Sequence, residues 1–214
     1  SQRFGAALRY AADAAGEGVL DDAIVAAAPT LDYTLVRDRF LAEARAAVGD
    51  ATHVTDKLPA NVQLVGYILQ ALPGAKIVHL RRDPMDLCFA NLRELFADGV
   101  GYAYAFDDLA HYHACHRDLV QHWHAVHPGR ILKIDYETLV REPLDTSRRV
   151  FEFCGLDWEP RVVEPVAWSA RAIATLSAVQ ARQPVNTASI GRWRAYARQL
   201  APLQEALARP LVPR

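Results

Sequence analysis

Lys76–Phe96 reads KIVHLRRDPMDLCFANLRELF, and no other stretch restricts the fold as tightly. Ile77-Val78-His79-Leu80 is an apolar run of strand length, and Arg81-Arg82-Asp83-Pro84 follows it without a spacer. A helical pattern then begins at once, predicted over 84–97. Asp83 suits the N-cap, Pro84 the first helical position and Asp86 the third. A strand that runs straight into a helix leaves no room for a hairpin. It requires a crossover, the connection used in parallel α/β sheets.

The same order is predicted twice more. Thr52–Thr55 (THVT) reads as a strand leading to Asp56-Lys57-Leu58-Pro59 and then a helix that stops at Pro73-Gly74. Arg130–Ile134 reads as a strand, followed by a turn at Tyr136-Glu137 and a helix, TSRRVFEFC, closed by Gly155. A Gly/Tyr-rich loop (99–106) and a long helix (107–126) lie between the last two strands. The alanine-rich first fifty residues are helical in pattern, with Leu35, Phe40, Leu41 and Val48 on one face and a stop at Gly49. The tail, 168–208, reads as a loop and then a helix from about Ser189. The fold class is therefore α/β, a parallel sheet flanked by helices.

The 214 residues suit one sizeable domain, and no linker divides them. A single domain over 1–210 is expected, because Leu211-Val212-Pro213-Arg214 matches a thrombin recognition sequence and reads as a tag remnant. With 24 basic and 25 acidic residues the net charge is −1, which gives no global attraction to nucleic acid or an anionic membrane. An anion site must be local. No apolar run approaches the ~20 residues of a membrane span. Cys88, Cys115 and Cys154 lie far apart without CxxC spacing, so neither a disulfide framework nor a zinc knuckle is expected and a cytoplasmic location fits. Cys115 and Cys154 read as core fillers. His113, His116, His124 and His127 share roughly a 60° arc of the long helix. The pairs are separated along its axis, and a packed helix face is expected rather than a metal site.

Ligands of open parallel sheets gather beyond the carboxyl ends of the strands, where Lys57, Arg81, Arg82 and Tyr136 fall. Free amides and the dipole at a helix start favour an anion, and a guanidinium just before the cap adds two parallel donors for phosphate-like oxygens. The alternative for Arg82 is an ion pair with Asp83, Asp86 or a surface carboxylate; for Lys57, one with Asp56.

IVHLRRDPMDLCFANL (77–92) resembles the 3′-phosphate-binding segment of sulfotransferases that use PAPS (3′-phosphoadenosine 5′-phosphosulfate). Arg82 matches the segment's arginine. Ala90 stands where a serine is usual, and Arg93, one turn on, can compensate. TDKLPANV (55–62) resembles the segment after the family's second core strand, which implies that Lys57 touches the transferring group. IDYETLVREP (134–143) resembles the family's YExL turn, which implies that Tyr136 contacts adenine. LSAVQARQPVNTASIGRW (176–193) resembles the C-terminal loop of the tyrosylprotein and bacterial TPR-linked branch. It implies Ser177 near the 5′-phosphosulfate, Gln180 and Asn186 as cofactor-binding residues and Arg192 on the 3′-phosphate.

The resemblance, over about Thr52 to Leu203, implies a P-loop-NTPase-like sulfotransferase fold. It implies sulfuryl transfer from PAPS, leaving PAP, to a small-molecule, carbohydrate, lipid or peptide acceptor without a metal. The family's 5′-phosphosulfate turn, Pro-Arg/Lys-Ser-Gly-Thr, is not found in residues 1–50, so a natural chain beginning upstream of Ser1 is expected. A non-catalytic PAP-binding domain is the alternative. A nucleotide kinase is disfavoured, because neither a Walker lysine nor a magnesium-binding acid pattern is present.

Overall fold

The computed structural model describes residues 3–16, 19–96, 100–164 and 184–210. Two compact units are formed, Ser1–Ile77 with Leu119–Val126, and Val78–Asp118 with His127–Arg214.

The first unit is helical. It contains α1 (Arg3–Ala11), α2 (Asp22–Ala27), α3 (Tyr33–Val48), a 3-10 turn (Pro59–Leu64) and α4 (Val65–Ala71). Asp21 caps α2 by accepting from the Ile24 amide, and Asp32 caps α3 by accepting from the Thr34 and Leu35 amides. Phe4, Leu8, Ile24, Val36, Phe40 and Leu64 form the core, with Phe4 and Phe40 edge to face at 5.6 Å. The buried face of α3 is Val36, Phe40 and Ala44. It differs from the expected set, because i, i+4, i+8 spacing meets α1 while Leu35 turns to solvent. Gly66 admits a close neighbour: a Cβ there would lie 3.1 Å from the Trp123 ring, whose Nε1 donates to the Val62 carbonyl at 2.7 Å.

The predicted strand 52–55 does not form. These residues are exposed and make no ladder. Val54 is the sole apolar side chain of the four, so pairing would bury almost nothing to offset the ordering of the backbone.

The second unit holds a small parallel sheet of two strands, β1 (Ile77–Arg81) and β2 (Ile131–Asp135). After β1 comes α5 (Pro84–Arg93), then a 3-10 turn (Gly101–Tyr104) and α6 (Phe106–Val126), whose residues to Asp118 belong to this unit. β2 runs into α7 (Tyr136–Arg141), a helix where a turn was expected, and α8 (Pro143–Cys154) ends on Gly155 in the left-handed region, φ 71°. The loop expected over the first part of the tail falls largely outside the described residues. From 184 on, the tail forms a 3-10 turn (Arg192–Tyr196) and α9 (Ala201–Ala208), so the helix expected from Ser189 starts later. Met85, Cys88, Phe89 and Leu92 follow i, i+3, i+4, i+7 spacing on α5 and pack with Leu109, Trp193, Leu200 and Leu203. This core fastens the tail to the helix that follows β1. No helix among the described residues is long and apolar enough to cross a membrane.

Cys88 is buried, as a filler should be, but Cys115 is exposed and Cys154 half-buried. Cys115 lies on the outer side of α6, its Sγ 3.6 Å from His111 Nε2 one turn back. Both expected core fillers thus lie on helix flanks that the packing leaves open.

Candidate functional site

β1 delivers Arg81 and Arg82 to its carboxyl end, and α5 begins two residues later. Asp83 caps α5 by accepting from the Asp86 amide at 2.9 Å, with Pro84 at the first helical position. The backbone amide of Asp83 donates to Glu137 Oε1 on α7 at 2.8 Å. Arg81 pairs with Asp135 at 2.7 Å, joining the two strand ends in solvent, where such a pair contributes little.

Arg82 forms no ion pair with Asp83, Asp86 or any other carboxylate among the described residues. Its Nη2 donates to the Ser189 carbonyl at 2.7 Å, and its guanidinium carbon lies 5.0 Å from the centre of the Tyr136 ring. Arg82 Nε is buried without a hydrogen-bond partner. A buried charged donor left unpaired is costly, and a guanidinium with a spare donor beside a helix start is suited to an oxyanion. Arg82 and Tyr136 are thereby brought together.

A second grouping lies further along α5. Phe89, Arg93, Gly191, Arg192, Ala195 and Tyr196 line a cleft of about 340 Å³. The Phe89 and Tyr196 rings are 5.2 Å apart, and the Arg93 guanidinium sits 5.3 Å from the Phe89 ring. Arg93 and Arg192 thus share one cleft, two cations without a lining carboxylate, above an aromatic floor. The chemistry of this lining suits a flat, anionic ligand. Ala90 is half-buried on α5 between Phe89 and Asn91.

Asn186 serves the backbone. Its Oδ1 accepts from the Ala188 amide at 3.1 Å and its Nδ2 donates to the Pro184 carbonyl at 3.0 Å, an Asx turn that shapes the tail. Ser177 and Gln180 lie outside the described residues. Lys57 is exposed in the first unit, following extended backbone rather than a strand. No ion pair joins it to Asp56, whose buried Oδ1 has no partner.

Glu137 and Asp86 stand within the segments that carry the resemblance, which gives them no site role, whereas Phe89 and Tyr196 carry no sequence signal beyond core spacing. The histidines of α6 divide: His113 and His116 are half-buried, and the His116 ring lies 5.7 Å from that of His79 on β1. Burial, then His116 and Arg117, holds the His113 pKa below its ordinary value against the opposing charge of Asp83; burial alone lowers His116. Among the described residues no group of three or more His, Cys, Asp or Glu is placed to hold a metal ion.

The model of a family described as "Sulfotransferase family" matches residues 6–160. That span begins well before Thr52 and stops ahead of the tail. An uncharacterized protein of Aquifex aeolicus (strain VF5) is 37% identical over 168 residues, which cover 76% of this chain. The same alignment covers 22% of the Aquifex protein, so the chain spans about a fifth of that relative's length.

Proposed function

We propose that this chain, which belongs to the sulfotransferase family, takes PAPS as sulfuryl donor and serves a hydroxyl or amine acceptor. The observation that carries the reading is the unpartnered Nε of Arg82 at the start of α5. It offers a charge-assisted donor, at the positive end of the α5 dipole, to the 3′-phosphate. That phosphate separates PAPS from ordinary adenine nucleotides. Arg93 and Arg192 supply further positive charge near the site where Ala90 omits a hydroxyl.

PAPS supplies a sulfuryl group already activated by its bond to the 5′-phosphate. The acceptor oxygen or nitrogen bonds to sulfur as the sulfur–oxygen bridge to that phosphate breaks, the acceptor's proton passes to solvent, and PAP is the second product. The protein's part is positioning and charge stabilisation. Tyr136 offers a ring face to adenine, while Arg82 grips the 3′-phosphate and so fixes the sulfuryl end. Lys57 neutralises charge growing on the transferring group, and Ser177, Gln180 and Asn186 belong with the donor. The P-loop-like sheet type, the tyrosylprotein or TPR-linked branch, one domain over 1–210 and a reducing compartment go with this reading.

Calorimetric titration with PAP, PAPS and ATP, followed by transfer of labelled sulfate from PAPS, tests it. PAP binding well ahead of ATP is expected. Failure of all three to bind the full-length protein would end the proposal. Ala90 favours a second reading, a PAP-binding domain without catalysis, which predicts PAP binding with no transfer.

A further inference from the structure

Two side chains at the start of α5 take hold of one short stretch of the tail. Arg82 Nη2 donates to the Ser189 carbonyl at 2.7 Å, and Asp86 Oδ2 accepts from the Gly191 amide at 2.6 Å. Asp86 is only 2% exposed, and its Oδ1 has no partner. No cation among the described residues neutralises it. Burial of a carboxylate on these terms is unfavourable unless the bonds it makes are used.

Local structure gives Asp86 no employment. An acidic side chain in the third position of a helix usually turns back to the amide of the cap residue. Here Glu137 Oε1 occupies the Asp83 amide at 2.8 Å, and Asp83 itself satisfies the Asp86 amide at 2.9 Å. The N-terminus of α5 is therefore capped without the Asp86 carboxylate. The helix dipole favours a negative charge at this position, and the charge is turned on Gly191. Gly191 adopts φ 71°, in the left-handed region where glycine is at ease. The residue that follows it is Arg192, which lines the cleft with Arg93.

We infer that Asp86 is a positioning residue: its carboxylate pins the Gly191 amide and so places Arg192 in the cleft, completing a two-arginine anion site. Arg82 anchors the same stretch two residues earlier, so the strand–helix corner and the tail form one clamp. The anion's identity as the 3′-phosphate of PAPS rests on the reading given above; the clamp does not.

Amide hydrogen exchange on the nucleotide-free full-length protein, read at Gly191 and across 189–196, tests the clamp first. Wild type should protect Gly191, and Asp86→Ala should lose that protection. Asp86→Asn, which keeps an acceptor oxygen, should restore most of it. Should Asp86→Ala not fold, Asp86→Ser replaces it with a side chain too short to bridge. An unprotected Gly191 in wild type, or protection unchanged in Asp86→Ala or Asp86→Ser, overturns the inference. PAP titration tests the consequence. Asp86→Ala and Arg192→Ala should each weaken binding about tenfold, and the double variant should be no weaker than Arg192→Ala, because the first acts through the second. Losses that multiply to about a hundredfold would overturn the positioning role. If wild type itself binds no PAP, the nucleotide reading fails and the exchange result alone decides the clamp.

Discussion

Arg82 donates to the carbonyl of Ser189, 107 residues further along the chain, at 2.7 Å. The guanidinium that the strand–helix corner presents is therefore used by the tail rather than neutralised by a neighbouring acid. Its Nε stays unpartnered and its face lies against Tyr136. One side chain thus joins the end of β1, the start of α7 and the tail, and it keeps a donor in reserve.

Arg82→Ala should weaken PAP by about tenfold or more, the cost of losing charge-assisted bonds to an oxyanion. Adenosine 5′-phosphosulfate, which lacks the 3′-phosphate, should lose much less. Calorimetric titration of both ligands measures the difference; equal losses would reduce Arg82 to an anchor for Ser189.

Lys57→Ala should lower the rate of sulfate transfer by about a hundredfold while PAPS affinity changes little, as for a group that acts on charge developing in the transition state. Steady-state kinetics with varied PAPS separates the two effects. An unchanged kcat would remove Lys57 from the chemistry.

Thiol labelling should follow the packing. Burial, with the nearby charge of Asp83, pushes the Cys88 thiol up to about 12, so little thiolate exists at pH 8 and the sulfur is also out of reach. Cys115, exposed on α6, should alkylate first in the native protein and Cys154 more slowly. Peptide mass spectrometry after brief iodoacetamide treatment reads the order, and early modification of Cys88 would contradict the core described.

Stability should fall on mild acidification. His113 and His116 have folded pKa values below their ordinary value of 6.5, so the unfolded chain takes up protons first as pH drops. The contribution is complete above pH 6.5 and is lost as pH falls through the folded pKa values. Urea unfolding at pH 7.5 and 5.5 should show lower stability at 5.5, and the His113→Gln, His116→Gln double variant should narrow the gap. Equal stability at the two pH values in wild type would refute the assignment.

Much of the second unit is legible along the chain because its signals are local. Asp83 as cap, Pro84 behind it and Gly155 at the end of α8 depend on neighbours within a turn or two. The short run 52–55 misled for the same reason: its β-branched residues suit a strand, but a strand exists only where a partner and a buried face exist. On α3 the hydrophobic residues were visible, yet α1 selected Val36, Phe40 and Ala44 rather than the face containing Leu35.

By itself the order of residues determined where β1 stops, how α5 is capped and that two cations stand at their junction, since steric and hydrogen-bonding rules between close neighbours leave few alternatives. Tertiary structure alone decided that Asp86 serves Gly191, that Arg82 meets a carbonyl, and that Arg93 and Arg192 face one cleft floored by Phe89 and Tyr196. Those partners are chosen by how α5 and the tail pack around Met85, Cys88, Leu200 and Leu203. A buried polar group bonds to whatever such packing brings within reach, however distant it is along the chain.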